Sequence, residues 1–358
     1  MSPRPEARVD ELHAALADVA PGTPLREGLD RIVRAKMGAL VVVGDGGDVL
    51  SVCSGGFLLD APFSPQRLSE LAKMDGAIII STDGGRIARA NVHLVPDPTV
   101  PTSETGTRHR TAERVARSLD VPVISASEEM GVINVYAGGS KHQLQEIGRL
   151  LDRANQALQT LERYKMRLDD AIANLTAVEV EDVVTLRDVI LVVQRGEMVH
   201  RIADEIETMI IELGVDARLL RLQLDELYGE IDDELDLVVA DYLPTGGDVL
   251  QTLEEMSRLT DDEVLDLRIA AATLHREGDS SDLEQELAPK GLRLLHRVHR
   301  LPHKTAAAIT DHFGGLAKLQ RVTIDDLMAV DGVDLATAQL VKETLERVTE
   351  STILDQYS

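Results

Sequence analysis

Two guanidiniums two residues apart, on Arg108 and Arg110, stand in the run Thr105-Gly106-Thr107-Arg108-His109-Arg110-Thr111, with hydroxyls on either side and a helical pattern beginning at the same place. An arginine presents a planar fork of donors that matches phosphate oxygens, and a helix N-terminus adds unpaired backbone N–H groups and the positive end of a dipole. That pattern is an address for a polyphosphate. Upstream, Met74-Asp75-Gly76-Ala77 leads into the apolar run Ile78-Ile79-Ile80 and brings one carboxylate and one flexible glycine to the mouth of a strand. A carboxylate there can hold Mg²⁺ or Mn²⁺ that arrives with a nucleotide, and Gly76 lets backbone approach the nucleotide closely. The expected chemistry is nucleotidyl transfer, with Asp75 as metal-linked carboxylate beside the attacking hydroxyl and Arg108 and Arg110 on the triphosphate and the departing pyrophosphate. His109 can donate to a phosphate oxygen, and Thr107 and Thr111 offer hydroxyls and amides at the helix start. Taken singly, each has a plainer reading: a turn aspartate, a turn glycine, a structural histidine, an N-cap threonine. The conjunction of Asp75 with Arg-His-Arg is what favours function.

The elements that must position these residues fall in the first 140 positions. Apolar, glycine-bounded or β-branched runs predict strands at 38–44, 49–52, 77–81, 92–95, 121–124 and 132–136, interleaved with helices at 12–20, 25–37, 65–74 and 111–119. One sheet with helices over its faces is the natural outcome. From Lys141 the pattern changes to a long helix, with apolar residues from Leu144 through Leu158 and Leu161 to Leu175 at three- and four-residue spacing. Further helices follow, punctuated by glycine and proline. The expected fold class is therefore an α/β N-terminal domain (1–140), an all-α spacer (141–287) and an all-α terminal domain (288–358).

Composition sets outer bounds. The chain has 358 residues, 44% of them apolar, enough for ordinary cores without staples, and its single cysteine, Cys53, excludes an internal disulfide. No signal-peptide pattern opens the chain and no run approaches the ~18 apolar residues of a membrane span, so the expectation is a cytoplasmic protein without a membrane partner. The formal net charge of −25 argues against nucleic acid, but it is segregated. Residues 225–286 carry 20 acidic and 3 basic side chains, whereas 288–321 carry seven Lys or Arg and four His against one Asp. In this last region Leu301-Pro302-His303-Lys304 and Val330-Asp331-Gly332-Val333-Asp334 are tight turns that each feed a helix. Paired helix-hairpin-helix units aim backbone amides at DNA phosphates with such turns. Arg300, His303, Lys304 and Gly332 are the expected DNA contacts. With 2% aromatic residues, stacking on single strands is not the expected mode, and backbone contact with duplex or branched DNA is.

Gly38 to Gly44, Ser54-Gly55-Gly56-Phe57, Asp75-Gly76-Ala77 and Thr105 to Arg114 resemble the diadenylate cyclase domain, and the order of cyclase motifs, helical spacer and hairpins resembles the DisA family from end to end. The resemblance implies condensation of two ATP molecules to cyclic di-AMP with release of two pyrophosphates. It also implies a homo-octamer whose cyclase domains meet face to face, since each ribose 3′-oxygen must attack the α-phosphorus of the other nucleotide. It further implies that Leu94 lines the adenine pocket and that Ser127 sits near the phosphates or metal, where local reading alone makes them a core leucine and a capping serine. In the second hairpin this chain has Asp334 where the family has a glycine, and a carboxylate at that place repels a phosphate. Two other readings compete with the cyclase: an ATP-sensing DNA-binding scaffold without turnover, and an oligomer whose hairpins pack on the acidic middle.

Overall fold

The computed structural model describes residues 5–229, 231–244, 246–274 and 282–356. The chain divides into two compact units, Met1–Ala157 with Glu205–Gln223, and Leu158–Asp204 with Leu224–Ser358.

The first unit is built on a mixed sheet. Two helices, α1 (Pro5–Asp18) and α2 (Pro24–Arg34), lead to strand β1 (Ala39–Val43), helix α3 (Gly47–Ser51), β2 (Cys53–Ser54), β3 (Phe57–Pro62), helix α4 (Pro65–Leu71), β4 (Ala77–Ile80), β5 (Arg86–Leu94), helix α5 (Thr107–Leu119), β6 (Val123–Ala126), β7 (Ile133–Ala137) and β8 (Ser140–Gln143). The strand order is β2-β5-β4-β1-β6-β7-β8, with β3 also on β5; β1 and β4 pair in parallel and the other pairs are antiparallel. The central strands read as unbroken apolar runs because both faces are covered. Val41, Val43, Ile78, Ile80, Ile124 and Val135 pack with Leu16, Leu29 and Leu68 of α1, α2 and α4. Leu40, Val42, Ile79, Val123 and Tyr136 pack with Ala112, Val115 and Ala116 of α5.

Three sequence expectations need correction. Residues 49–52 are not a strand. After β1 the chain turns at Gly44 (φ +139°), and Asp45 to Gly47 lead into α3, where only Val49 is buried. With one buried apolar position there is no strand face to satisfy, so a single helical turn wins. Helix α5 begins at Thr107 rather than at 111, with Gly106 as its N-cap. The long helix begins at Ile147, not Lys141, because Lys141 to Gln143 pair with β7 in β8.

Helix α6 (Ile147–Glu181) and helix α7 (Leu186–Leu213) are followed by α8 (Arg218–Tyr228), α9 (Ile231–Tyr242), α10 (Val249–Ser257), α11 (Asp261–Leu265) and α12 (Leu267–Ala272). The terminal helices are α13 (Leu292–His296), α14 (His303–Phe313), α15 (Leu316–Leu319), α16 (Ile324–Met328) and α17 (Leu335–Gln356). The expected seam on α6 is present, with Ala154, Leu158, Leu161, Leu168 and Leu175 all buried. Within the second unit, Arg293 of α13 is fully buried and pairs with Glu179 of α6 and Glu234 of α9. Asp241 accepts from the amides of Leu292 and Arg293 at 2.6 and 2.9 Å, capping α13 from α9. Among the described residues no helix is long and apolar enough to cross a membrane.

Candidate functional site

A cleft of about 460 Å³ opens at one end of the sheet, lined by Leu40, Asp75, Gly76, Ala77, Asn91, Val92, His93, Leu94, Thr107, Arg108 and Thr111. Its floor is the first residues of the parallel pair β1 and β4, its wall is the end of β5, and its roof is the first turn of α5. The sequence runs that suggested phosphate and metal chemistry therefore meet here. Six of the residues expected at the site, Asp75, Gly76, Leu94, Thr107, Arg108 and Thr111, line the cleft, whereas His109 does not and bonds to Ser125 instead.

The roof is prepared for an anion. Gly106 caps α5 with backbone geometry alone and makes no side-chain bond to the first turn, which also holds no acidic residue. The first amides of a 13-residue helix are thus left for a ligand. Thr111 spends its hydroxyl on the Thr107 carbonyl at 2.9 Å, so its side chain steadies the turn.

Arg108 crosses from this roof toward the opposite lip, where its Nη2 lies 3.7 Å from Oδ1 of Asp75. The two are unequal partners: the Asp75 side chain is 98% exposed and that of Arg108 34% exposed. At such exposure the pair is worth little to folding. It leaves both groups available to a ligand of mixed charge, phosphate for one and cation for the other. Gly38 makes the placement possible, since a Cβ there would overlap the Arg108 guanidinium. Asp75 also accepts from the Gly76 amide at 3.0 Å, and Gly76 has φ +107°, open to glycine and strained for other residues.

Arg110 and Ser127 are not among the residues that line the cleft. Arg110 turns back to donate to the carbonyls of Glu104 and Thr105 at 3.4 and 3.3 Å, outside the helix start. Ser127, at the end of β6, accepts from the Met130 amide at 3.3 Å and closes the turn to β7. His109 points inward, its Nδ1 2.8 Å from Ser125 Oγ and 3.1 Å from the Tyr136 hydroxyl. Burial holds this imidazole below its ordinary range. Tyr136 donates to Glu104 at 3.1 Å, and burial pushes its own phenol up. Burial opposes ionisation of Glu104, but Lys141, 2.6 Å away, and the Tyr136 hydroxyl bring the carboxyl below its usual range. This polar string ties the loop before α5 to β6, β7 and β8. It was invisible in sequence because its members lie as much as 37 positions apart and only His109 falls in a motif.

Asn91, His93 and Leu40 are cleft residues that the sequence reading missed. For Asn91 a signal exists only in three dimensions, where it is a non-glycine residue with φ +56° beside a register shift in β5. Among the described residues no group of three or more His, Cys, Asp or Glu could hold a metal ion. A lone, open carboxylate such as Asp75 does suit a Mg²⁺-type ion, which takes one or two carboxylates and completes its shell with phosphates and water.

The terminal hairpins differ from each other. Arg300, His303 and Lys304 are all exposed around the turn into α14, whose N-cap, Pro302, offers no side-chain hydrogen bond. Gly332 takes φ +82° in the turn before α17, but there Asp334 Oδ1 accepts from the Thr337 amide at 2.8 Å. Hydrogen bonds from the Thr337 side chain and amide hold the Asp334 carboxyl below its usual range.

Comparison with known proteins accords with this architecture. A family model described as the DisA bacterial checkpoint controller nucleotide-binding region matches residues 26–141, and one described as the DisA bacterial checkpoint controller linker region matches 144–283. The DNA integrity scanning protein DisA of Frankia alni is 52% identical over 97% of this chain and 98% of its own. That of Kineococcus radiotolerans is 51% identical over 99% of each, and that of Streptomyces coelicolor 48% identical over 97% of this chain and 94% of its own. Among solved structures, DacA from Staphylococcus aureus aligns over 39% of this chain and 88% of its own at 25% identity with a TM-score of 0.27, too slight a likeness to bear on the fold. With relatives about half identical over nearly its whole length and a matched nucleotide-binding region, this chain belongs to the DisA family of diadenylate cyclases.

Proposed function

We propose that this enzyme condenses two ATP to cyclic di-AMP and two pyrophosphates, and that its terminal hairpins bring DNA to the same molecule. The observation that carries the chemistry is the juxtaposition of Asp75 and Arg108, 3.7 Å apart at the uncapped start of α5. In each of two reciprocal steps a ribose 3′-oxygen bonds to the α-phosphorus of the other nucleotide. The α-phosphorus bond to the bridging oxygen breaks, pyrophosphate leaves, and the 3′-hydroxyl proton is released. Arg108 and the amides of Thr107 and its successors hold the triphosphate and stabilise the charge that gathers on the leaving pyrophosphate. Arg110, whose guanidinium faces the loop at 104–105, holds that loop and the outer phosphates, and Thr111, His109 and Ser127 complete the setting. Leu94 and Leu40 bound the adenine. Asp75 orients the attacking hydroxyl. Mg²⁺ or Mn²⁺, held by Asp75 together with the phosphates, would neutralise charge at the reacting phosphoryl.

One cleft holds one ATP, so ring closure requires two cyclase domains face to face, and a homo-octamer of the family kind provides that arrangement. The division of labour follows residues 1–140 for the cyclase, 141–287 for the spacer and 288–358 for DNA. Phosphates of duplex or branched DNA would meet Arg300, His303 and Lys304, with Gly332 at the second turn. The uncapped start of α14 supports the first hairpin as the stronger contact.

Incubation of the purified chain with ATP and Mg²⁺ or Mn²⁺, with products separated by chromatography, tests the chemistry. Wild type is expected to release cyclic di-AMP and pyrophosphate, and Asp75→Asn to lose at least a hundredfold of the rate while still binding ATP. A wild type that binds ATP and makes no product would leave the ATP-sensing DNA scaffold as the better account.

A further inference from the structure

The β5 wall of the cleft contains an irregularity that the motifs do not explain. Val92 pairs with Ala77, but Arg89 pairs with Ile79, so β5 carries one residue more than β4 over the same span, a bulge that takes in Ala90 and Asn91. Asn91 sits there with φ +56°, in the left-handed region, exposed and facing the cleft. Two glycines grip the bulge. A Cβ on Gly76 would lie 2.9 Å from the carbonyl carbon of Asn91 and 3.0 Å from the amide nitrogen of Val92. A Cβ on Gly56 would lie 2.7 Å from the Ala90 oxygen and 3.0 Å from that of Asn91. Both are tighter than real contacts. The two glycine motifs, Ser54-Gly55-Gly56-Phe57 and Asp75-Gly76-Ala77, therefore act together, closing on the backbone that presents Asn91. Asparagine enters the left-handed region more readily than most residues, and here the surrounding backbone holds it there at the wall of a cleft.

The chemistry of the lining assigns Asn91 a function. The lining side chains that α5 contributes, Thr107, Arg108 and Thr111, are cationic or carry hydroxyls. Those from β1 and β5 are apolar, with Leu40, Val92 and Leu94, apart from Asn91 and His93. A carboxamide carries two N–H donors and a carbonyl acceptor side by side, the pairing that a nucleoside's heteroatoms require. Resting on the nucleotide reading of this cleft, we infer that Asn91 is a binding residue for the nucleoside part of ATP, presented by a bulge that Gly56 and Gly76 hold in place.

The left-handed backbone makes a clean test available. Asn91→Gly removes the carboxamide and keeps the conformation at no steric cost, whereas an asparagine needed only for its tolerance of positive φ would be replaced without effect. Calorimetric titration of the full chain with ATP and, separately, with inorganic tripolyphosphate reads both parts of the lining. ATP is expected to bind Asn91→Gly at least tenfold more weakly than wild type, with tripolyphosphate binding unchanged. Should the glycine variant misfold by circular dichroism, Asn91→Asp keeps the size and the turn preference, and the ratio of ATP to tripolyphosphate affinity is expected to fall with it too. A wild type that prefers ATP and a variant with the same preference would overturn the role of Asn91 and leave the cyclase reading standing. A wild type that binds the two probes equally would overturn both.

Discussion

Arg108, His109 and Arg110 are consecutive in sequence and have three different surroundings in the folded chain. Successive residues on a helix are rotated by about 100°, so residues two apart look in nearly opposite directions. Arg108 enters the cleft, His109 turns to Ser125 and Tyr136, and Arg110 returns to the carbonyls at 104 and 105. The sequence reading of the motif as phosphate chemistry could not apportion its members, because that depends on the rotation of α5 over the sheet. What lets Arg108 take its path is the missing side chain at Gly38. Gly38→Ala is expected to fold, since what it meets is the far end of a flexible side chain. It should displace the guanidinium and raise the Kd for ATP about tenfold, equivalent to about 1.4 kcal/mol. Titration with ATP beside a thermal melt checks this, and an unchanged Kd would mean that Arg108 does not hold the triphosphate from this position.

At the scale of elements, the two hairpins read alike in sequence, each a tight turn before a helix, and their helix starts are different. Pro302 leaves the amides of α14 without a side-chain cap, whereas Asp334 occupies the Thr337 amide of α17. An exposed carboxylate there both uses the donor and repels the phosphate it would otherwise meet. Asp334→Gly, which returns the glycine of the family pattern, is therefore expected to raise affinity for duplex DNA severalfold. Lys304→Ala should lower it and reduce the slope of log affinity against log salt by about one. Fluorescence anisotropy across a salt series measures both, and an unchanged affinity for Asp334→Gly would place the DNA contact wholly elsewhere. Elements with strong periodicity, such as β1, β4 and α6, could be read from the chain within a few residues. The segment at 49–52 could not, because two valines spaced three apart satisfy a helical turn as well as a strand. Strands β2, β3 and β8 escaped notice for the complementary reason: their side chains are largely exposed, and without a buried face there is no apolar alternation to read.

For the molecule as a whole, charge segregation separates an acidic spacer from a basic terminal region, and within the second unit part of that opposition is satisfied internally. Arg293, the first long side chain of the basic region's opening helix, is fully buried against Glu179 and Glu234, and it also donates to Thr176 at 2.9 Å. Tyr242 donates to Glu179 at 2.7 Å. Arg293→Met would leave Glu179 buried without its salt-bridge partner, at a cost of about 3–5 kcal/mol, and adding Glu179→Leu should recover much of it. Urea unfolding of the three proteins checks this, and equal stability of wild type and Arg293→Met would show the charge network to be dispensable. Arg300, His303 and Lys304 remain exposed, so the internal pairing of one arginine does not exhaust the basic surface. The sequence by itself determined the cyclase family and the order of an α/β region followed by helical regions, and it named the residues proposed to hold phosphate and a divalent ion. These depend on residue type and short-range spacing, which a linear chain displays. Only the tertiary structure decided that Asp75 and Arg108 face each other, that Gly38 makes room for one of them, that Gly56 and Gly76 converge on Asn91, and that Asp334 caps α17. The first three depend on which strands are neighbours and on how one helix is rotated above them; the last depends on the turn of backbone at a helix start. The first three are not written in local composition, because contacts between distant segments are set by the packing of the whole sheet and its helices.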